Sequence, residues 1–157
     1  MGMRLALYQP DIPQNTGTLM RLCAAMNVPL DIVEPCGFAF DEKKIRRSAM
    51  DYMDHLDMAR HSNWDQFQKA KGPRRLILLT TKAAVPYTEF EFQANDILLA
   101  GRESAGVPDD VHNAADARIV VPMHPGLRSL NVAVSCAMVL GEALRQTGQF
   151  PIPDTGV

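Results

Sequence analysis

Several short apolar runs in this chain lack the alternation of polar and apolar residues that a half-exposed strand shows. Strands that are apolar throughout are typical of parallel sheets covered on both faces. We predict such strands at 76–80, 96–100 and 118–121, with further strands at 4–8, 30–33 and 55–59. These runs predict an α/β fold with a mostly parallel sheet.

Segments with helical spacing separate the strands. Apolar side chains at Leu19, Leu22, Cys23 and Met26 recur at the helical period. We predict helices over 16–26, 41–51 and 129–146, and another that Ser62 caps and Gly72-Pro73 ends. Helices alternating with strands in this way cover both faces of the sheet.

The chain has 157 residues, of which 46% are hydrophobic, and this suits a single domain over residues 1–150. The tail at 151–157, which contains Pro151 and Pro153, is predicted to be disordered. No apolar run is long enough to cross a membrane, and residues 1–11 do not resemble a cleavable leader. We therefore expect a cytoplasmic protein without a membrane association.

The cysteines and histidines show no metal-ligand spacing. Three scattered cysteines do not predict a disulfide framework, and we expect them to be reduced. The four histidines form no pattern such as H-E-x-x-H. We assign no metal; the residues concerned are Cys23, Cys36, Cys136, His55, His61, His112 and His124.

The net charge of −2 counts against broad electrostatic binding of nucleic acid, for which a strongly basic domain is typical. Any RNA contact must therefore come from local basic patches. One candidate patch is Lys43, Lys44, Arg46 and Arg47 on the second predicted helix, and 69–75 is another. The alternative for each patch is a solvated surface without a partner.

The last helix, 129–146, carries apolar residues nearly all round, which predicts burial on all sides. In a chain of this size a second subunit can cover the outer face, and two identical patches would then form a homodimer. The alternative is a central core helix of a monomer.

Two loops follow predicted strands and carry the chemistry. The first, 101–106, has Gly101 and Gly106 on either side of Glu103, and the second is Ser129-Leu130-Asn131. Open α/β sheets bind ligands at the carboxyl ends of their strands. The glycines allow a close backbone approach, and Glu103 offers a carboxylate to an arginine or a sulfonium. The first strand is not followed by the G-x-G-x-x-G of dinucleotide-binding folds.

Three ordered motifs resemble those of the SPOUT (trefoil-knot) RNA methyltransferases: 13–17 with Arg21, then 101–108, then 122–131. Further segments are similar to the small TrmL (YibK) branch of that superfamily: 8–13, 34–38, 46–48, 51–52 and 79–82. The resemblance covers residues 4 to about 148.

This resemblance implies a deep C-terminal trefoil knot, a rare exception to unknotted chains. It also implies a homodimer that binds S-adenosylmethionine in the knot and releases S-adenosylhomocysteine, without a metal. The branch methylates the ribose 2′-hydroxyl of the wobble nucleotide, position 34, a cytidine or modified uridine in the anticodon loop of leucine tRNAs.

The resemblance also assigns residues. Arg21 matches the catalytic arginine, and Asn15, Glu103 and Asn131 match polar positions that orient it, either across the dimer or within one subunit. The cofactor-contacting positions are Leu79, Gly101, Glu103, Gly106, Val121, Met123, Ser129 and Leu130. Plain structural alternatives are a helix cap for Asn15 and a surface ion pair for Arg21. Gly141 and Arg102 depart from the residues usual in the family.

Arginine is an unlikely base, because its pKa lies above about 12. We therefore expect Arg21 to stabilise the developing alkoxide, and either arginine or phosphate remains open as the proton acceptor. Two alternatives remain for the activity: 2′-O-methylation of another tRNA or rRNA site, and a catalytically silent RNA-binding knot protein.

Overall fold

The computed structural model describes residues 2–49 and 51–153, in which seven strands form one sheet. The strands are β1 (Arg4–Tyr8), β2 (Leu30–Val33), β3 (Met58–His61), β4 (Leu76–Leu79), β5 (Val85–Pro86), β6 (Ile97–Ala100) and β7 (Ala117–Val120). Their order across the sheet is β3-β2-β1-β6-β4-β7-β5, and every neighbouring pair is parallel.

Six α-helices are described: α1 (Pro13–Met26), α2 (Glu42–Ala49), α3 (Asp51–Asp54), α4 (Trp64–Lys71), α5 (Asp109–Ala114) and α6 (Val132–Thr147). A short 3-10 helix, Tyr87–Glu89, follows β5. None of the described helices is long and apolar enough to cross a membrane.

Successive residues of the central strands face opposite sides of the sheet, as the strand period requires. In β1, Leu5 and Leu7 pack in a core cluster that includes α1 and α6. Ala6 and Tyr8 pack in a second cluster, with Phe67 of α4 and with α5. The predicted α/β fold with helices on both faces is confirmed, whereas the threading of the knot stays a prediction.

Helix α1 begins earlier than predicted, at Pro13 rather than at residue 16. Proline suits the first turn of a helix, because the N–H that it lacks would have no partner there. At the other end, Asn27 adopts the left-handed conformation with φ of 55°, and its N–H donates to the Ala24 carbonyl. The glycine and asparagine of the 13–17 motif therefore lie on the helix.

Two other predicted boundaries were wrong. Asn63, not Ser62, caps α4: its side chain accepts a hydrogen bond from the Gln66 N–H at 2.9 Å. Strand β3 begins at Met58 rather than at residue 55, because His55 still bonds to the turn that ends α3. Residue 50, inside the predicted helix 41–51, lies outside the described residues.

One chain alone does not bury the last helix on all sides. Cys136, Val139 and Leu140 are buried, but Val134 is 51% exposed and Met138 41% exposed. The apolar outer face of α6 is therefore open to solvent in the single chain. This argues against the alternative of a central core helix.

The chain after α6 has no regular structure over residues 149–153, and Ile152 is 94% exposed. Residues 154–157, the rest of the tail predicted to be disordered, lie outside the described part of the chain.

Candidate active site

A cavity of about 190 Å³ lies at the carboxyl ends of β4, β6 and β7. Parallel strands present their carboxyl ends at one edge of the sheet, where α/β proteins bind ligands. All eight positions predicted to contact the cofactor line this cavity: Leu79, Gly101, Glu103, Gly106, Val121, Met123, Ser129 and Leu130. Residues far apart in sequence are thus brought into one pocket.

The 101–106 loop is a tight turn that requires glycine at its two ends. Arg102 and Gly106 exchange backbone hydrogen bonds of 3.0 and 2.9 Å, and Gly106 has φ of +61°. A Cβ atom on Gly101 would lie 2.8 Å from the Gly106 carbonyl carbon. The two glycines therefore close the loop on itself at the cavity wall.

Three predicted polar residues form one hydrogen-bonded chain. Asn131 Nδ2 donates to Asn15 Oδ1 at 2.9 Å, and Asn15 Nδ2 donates to Glu103 Oε1 at 3.4 Å. Asn131 also caps α6, since its Oδ1 accepts from the Val134 N–H at 3.2 Å. Asn15 is 8% exposed and is not the helix cap that was the alternative for it, because that position belongs to Ile12.

A role for Asp11 was not predicted, but its hydrogen bonds link the glycine loop to the loop after β1. Its N–H donates to Glu103 Oε2 at 3.0 Å, and its Oδ1 accepts from the Glu103 N–H at 3.1 Å. Its second oxygen accepts from the Ser104 hydroxyl. A sequence signal existed: Asp11 follows β1 closely, at the same edge of the sheet as Gly101.

The two carboxyl groups influence each other. Burial raises the pKa of Glu103 above its ordinary value, and the nearby Asp11 side chain adds to this rise. The same interaction with Glu103, together with the Ser104 hydroxyl, holds the pKa of Asp11 below its ordinary value. On acidification Glu103 therefore takes up a proton before Asp11 does.

Arg21 lies on the exposed side of α1 and is not among the residues that line the cavity in the described structure. Its guanidinium stacks over the ring of Tyr52, with Cζ 4.4 Å from the ring centroid. Among the ion pairs of the described residues Arg21 has none, so the alternative of a surface ion pair is not what the structure shows.

Of the predicted RNA patch, Lys43 and Lys44 are exposed on α2. The backbone of Arg46 and Arg47 belongs to α2, but their side chains lie outside the described part of the structure. The second basic segment, 69–75, comes directly before β4 and so lies at the amino-terminal ends of the strands, whereas the cavity lies at their carboxyl ends. In this segment Arg75 pairs with Asp96 at 2.6 Å, and none of residues 69–75 lines the cavity in the described structure.

The described residues contain no group of three or more histidine, cysteine, aspartate or glutamate side chains that could hold a metal ion. The three cysteines, Cys23, Cys36 and Cys136, are free thiols. The polar side chains that line the cavity carry hydroxyl, carboxyl and guanidinium groups: Thr80, Thr81, Ser129, Ser135, Glu103 and Arg102.

A cavity with a glycine loop at the carboxyl ends of parallel strands is the place where α/β proteins bind ligands. The model of the SpoU rRNA Methylase family matches residues 2–141. The chain belongs to this methyltransferase family, which confirms the resemblance that its motifs carry.

Individual relatives agree. The chain is 58% identical over 146 residues to the tRNA (cytidine(34)-2′-O)-methyltransferase of Beijerinckia indica, covering 92% of this chain and 91% of that one. A solved structure that concerns the 2-OH methylation of C/U34 on tRNA is 35% identical, with a TM-score of 0.84, and covers 92% of this chain and 95% of that one.

The SpoU methyltransferase AviRb from Streptomyces viridochromogenes, solved in complex with the cofactor AdoMet, is 25% identical with a TM-score of 0.75. The match covers 90% of this chain and 59% of that one. S-adenosylmethionine is thus a cofactor of this family.

Proposed function

We propose that this chain transfers the methyl group of S-adenosylmethionine to the ribose 2′-hydroxyl of nucleotide 34 of tRNA, with leucine tRNAs as its substrates. The observation that carries the proposal is the cavity at the sheet edge, which Glu103 lines while it is hydrogen-bonded to the Asn15–Asn131 pair. The similarity to a tRNA (cytidine(34)-2′-O)-methyltransferase supports the choice of nucleotide.

The cavity suits S-adenosylmethionine, a compact cofactor with an adenine ring and a charged methionine end. Leu79, Val121 and Leu130 offer apolar surface for adenine, and the backbone of Gly101 and Met123 offers hydrogen-bonding groups. Gly101 keeps the wall open at a point where any side chain would collide with Gly106. When bound, the cofactor supplies an electrophilic methyl group, and the product is S-adenosylhomocysteine; no metal takes part in this proposal.

Arg21 acts on the RNA side of the reaction. A guanidinium presents a fork of N–H donors that matches phosphate oxygens and a developing alkoxide. Arg21 lies on the exposed side of α1, the helix that also carries Asn15, so it can reach an RNA backbone from solvent. It stabilises the oxyanion that forms at the 2′ position, whereas Asn15, Glu103 and Asn131 fix α1, the glycine loop and α6 relative to one another.

The exposed face of α6 supports a homodimer as the working form. Val134 and Met138 are 51% and 41% exposed and lie four residues apart on α6, which places them on one stripe. Gly141 extends this surface, since a Cβ atom there would meet nothing within 4 Å. A second copy covering the stripe removes this apolar surface from water.

The remaining parts of the proposal concern location and shape. We expect one methyltransferase domain over residues 1–150 containing the C-terminal knot, working in the cytoplasm on the anticodon loop. The unpaired nucleotides of that loop are accessible without melting a helix.

The test uses purified protein, S-adenosylmethionine and unmodified leucine tRNA, followed by nuclease digestion and mass spectrometry of the anticodon fragment. A 2′-O-methyl group on nucleotide 34 supports the proposal. Methylation at another nucleotide, or on rRNA alone, would replace it with the second activity. RNA binding without any methyl transfer would leave only a silent RNA-binding protein.

A further inference from the structure

The loop between β2 and α2 carries two aromatic rings at the same edge of the sheet as the cavity. Phe38 and Phe40 stack with ring centroids 6.2 Å apart and an angle of 27° between their planes. The guanidinium of Arg60 lies over Phe40, with Cζ 4.3 Å from the ring centroid. The loop thus holds a layered arrangement of one cation and two rings.

The two rings differ in their relation to the core. Phe40 packs against the core cluster that includes α1 and α6. Phe38 is half-buried and, among the described residues, belongs to neither core cluster nor to the side chains packed against them. Phe38 therefore stacks on Phe40, and Phe40 is itself packed against the core.

The loop is fixed to the candidate active site. The Gly37 N–H donates to the Pro10 carbonyl at 2.9 Å, and a Cβ atom on Gly37 would lie 2.5 Å from Asp11 Cβ. Asp11 in turn bonds to Glu103 of the glycine loop. The position of Phe38 relative to the cavity is therefore set by direct contacts.

The order of the strands gives the distance. Strand β2 lies beside β1, which lies beside β6, so the loop after β2 is two strands from the glycine loop. Two strand spacings amount to about 10 Å. Neighbouring nucleotides of a single strand can span this distance.

The charges beside the rings are compatible with RNA. Glu34 and Glu42 both form ion pairs with Arg60, and Asp41 accepts a hydrogen bond from the Lys44 N–H at 3.2 Å. These carboxylates are thus engaged within the protein. The exposed side chains of Lys43 and Lys44 follow in the first turn of α2.

We propose that Phe38, supported by Phe40 and Arg60, stacks on the unpaired base next to the nucleotide that is methylated, while Lys43 and Lys44 contact the adjoining phosphates. Stacking on aromatic side chains is the common way in which proteins hold single-stranded bases. Stacking on Phe38 would hold the neighbouring base away from the stacked bases of the anticodon loop, so that the target ribose can enter the site. This inference rests on the proposed function and adds a substrate-binding site to it.

The experiment compares Phe38→Ala, Phe38→Leu and Phe38→Trp with the parent protein. A synthetic anticodon stem-loop serves as the RNA, with the fluorescent base 2-aminopurine on either side of the target nucleotide. Stacking is sequence-tolerant but needs a π face, so Phe38→Ala and Phe38→Leu should each weaken RNA binding about tenfold. Phe38→Trp should retain parental affinity, and the quenching of one 2-aminopurine should be lost only in the first two variants.

Two controls separate stacking from folding. S-adenosylmethionine affinity and thermal unfolding of Phe38→Leu should match the parent, because leucine preserves apolar bulk. Phe150→Ala removes a phenylalanine that lies beyond α6 and is 49% exposed, and it should leave RNA binding unchanged.

RNA affinity of Phe38→Leu within twofold of the parent, or equal loss of RNA and cofactor binding, would overturn the stacking site while leaving the methyltransferase proposal intact. The reverse failure is also visible: a parent protein that leaves nucleotide 34 unmethylated contradicts the proposed function, whatever Phe38 does to RNA affinity.

Discussion

The guanidinium of Arg21 and the ring of Tyr52 are joined by two contacts. The Arg21 Cζ atom lies 4.4 Å from the ring centroid, and Nη2 donates to the Tyr52 hydroxyl at 3.3 Å. Arg21 belongs to α1 and Tyr52 to α3, so the pair also links the two helices. In the proposed function Arg21 acts on the substrate and must be held in one orientation, and we propose that Tyr52 is the positioning residue that does this.

Replacement of Tyr52 should therefore affect turnover more than binding of the cofactor. Tyr52→Ala removes both contacts with Arg21 and should lower kcat for tRNA methylation about tenfold. Tyr52→Phe keeps the ring and should retain most of the activity. Single-turnover methylation and calorimetry with S-adenosylmethionine measure the two effects. A Tyr52→Ala protein with parental kcat would show that Arg21 needs no such support.

Loss of Arg21 itself should be more severe. Arg21→Ala should reduce methylation about a hundredfold or more, as for loss of one oxyanion donor, while S-adenosylmethionine affinity stays unchanged. Arg145, an exposed arginine paired with Glu142, provides the matched control Arg145→Ala. If both variants methylate tRNA at the parental rate, Arg21 has no catalytic role.

Much of the fold was predictable from the sequence, because parallel strands and amphipathic helices leave periodic signals. The apolar runs that became β4, β6 and β7 were each placed within one residue at their ends. The two-residue strand β5 was missed, since two residues are too few for any pattern. The start of α1 was predicted too late in the sequence, because its first turn contains a proline.

The residues of the candidate site could be predicted where they belong to a sequence motif or follow a glycine. Residues whose role depends on tertiary contacts could not be predicted. The eight predicted cofactor positions converge on one cavity, whereas the contacts of Asp11, Tyr52 and Phe38 involve residues distant in sequence. The open face of α6 illustrates the same limit. Its composition indicates burial, and only the packing shows which side the chain itself covers.

Gly101→Ala should disrupt the cavity wall. The added methyl group would lie 2.8 Å from the Gly106 carbonyl carbon, in backbone that cannot move aside as a flexible side chain can. We expect S-adenosylmethionine affinity to fall at least about tenfold, as a distorted site loses several contacts. Gly17→Ala is the control, because a Cβ atom there meets nothing within 4 Å. Equal affinity of both variants would show that the loop does not form the cofactor site.

Cys36 should react slowly with alkylating agents. Burial, together with the nearby Glu34 carboxylate, raises the pKa of its thiol to about 11. Only the thiolate reacts, and the pKa of a free cysteine is about 8.5. At a pH of about 8.5 we therefore expect Cys36 to be alkylated about a hundredfold more slowly in the folded than in the unfolded protein. The rate should still be rising at about pH 10, where the rate of an ordinary thiol has levelled off. Mass spectrometry of the Cys36 peptide measures it, and a plateau near pH 9 would contradict the raised pKa.

Charge placed on the exposed stripe of α6 should separate the subunits. In Met138→Glu a carboxylate replaces a side chain that is 41% exposed in one chain and, in the proposed homodimer, buried against the second copy. Burial of an unpaired charge is strongly unfavourable, so light scattering at micromolar concentration should give the monomer mass of 17.4 kDa instead of twice that value. Ile152→Glu, at a residue that is 94% exposed beyond α6, should leave the dimer intact. A parent protein that already scatters as a monomer, or a Met138→Glu protein that remains dimeric, would place the interface elsewhere or remove it.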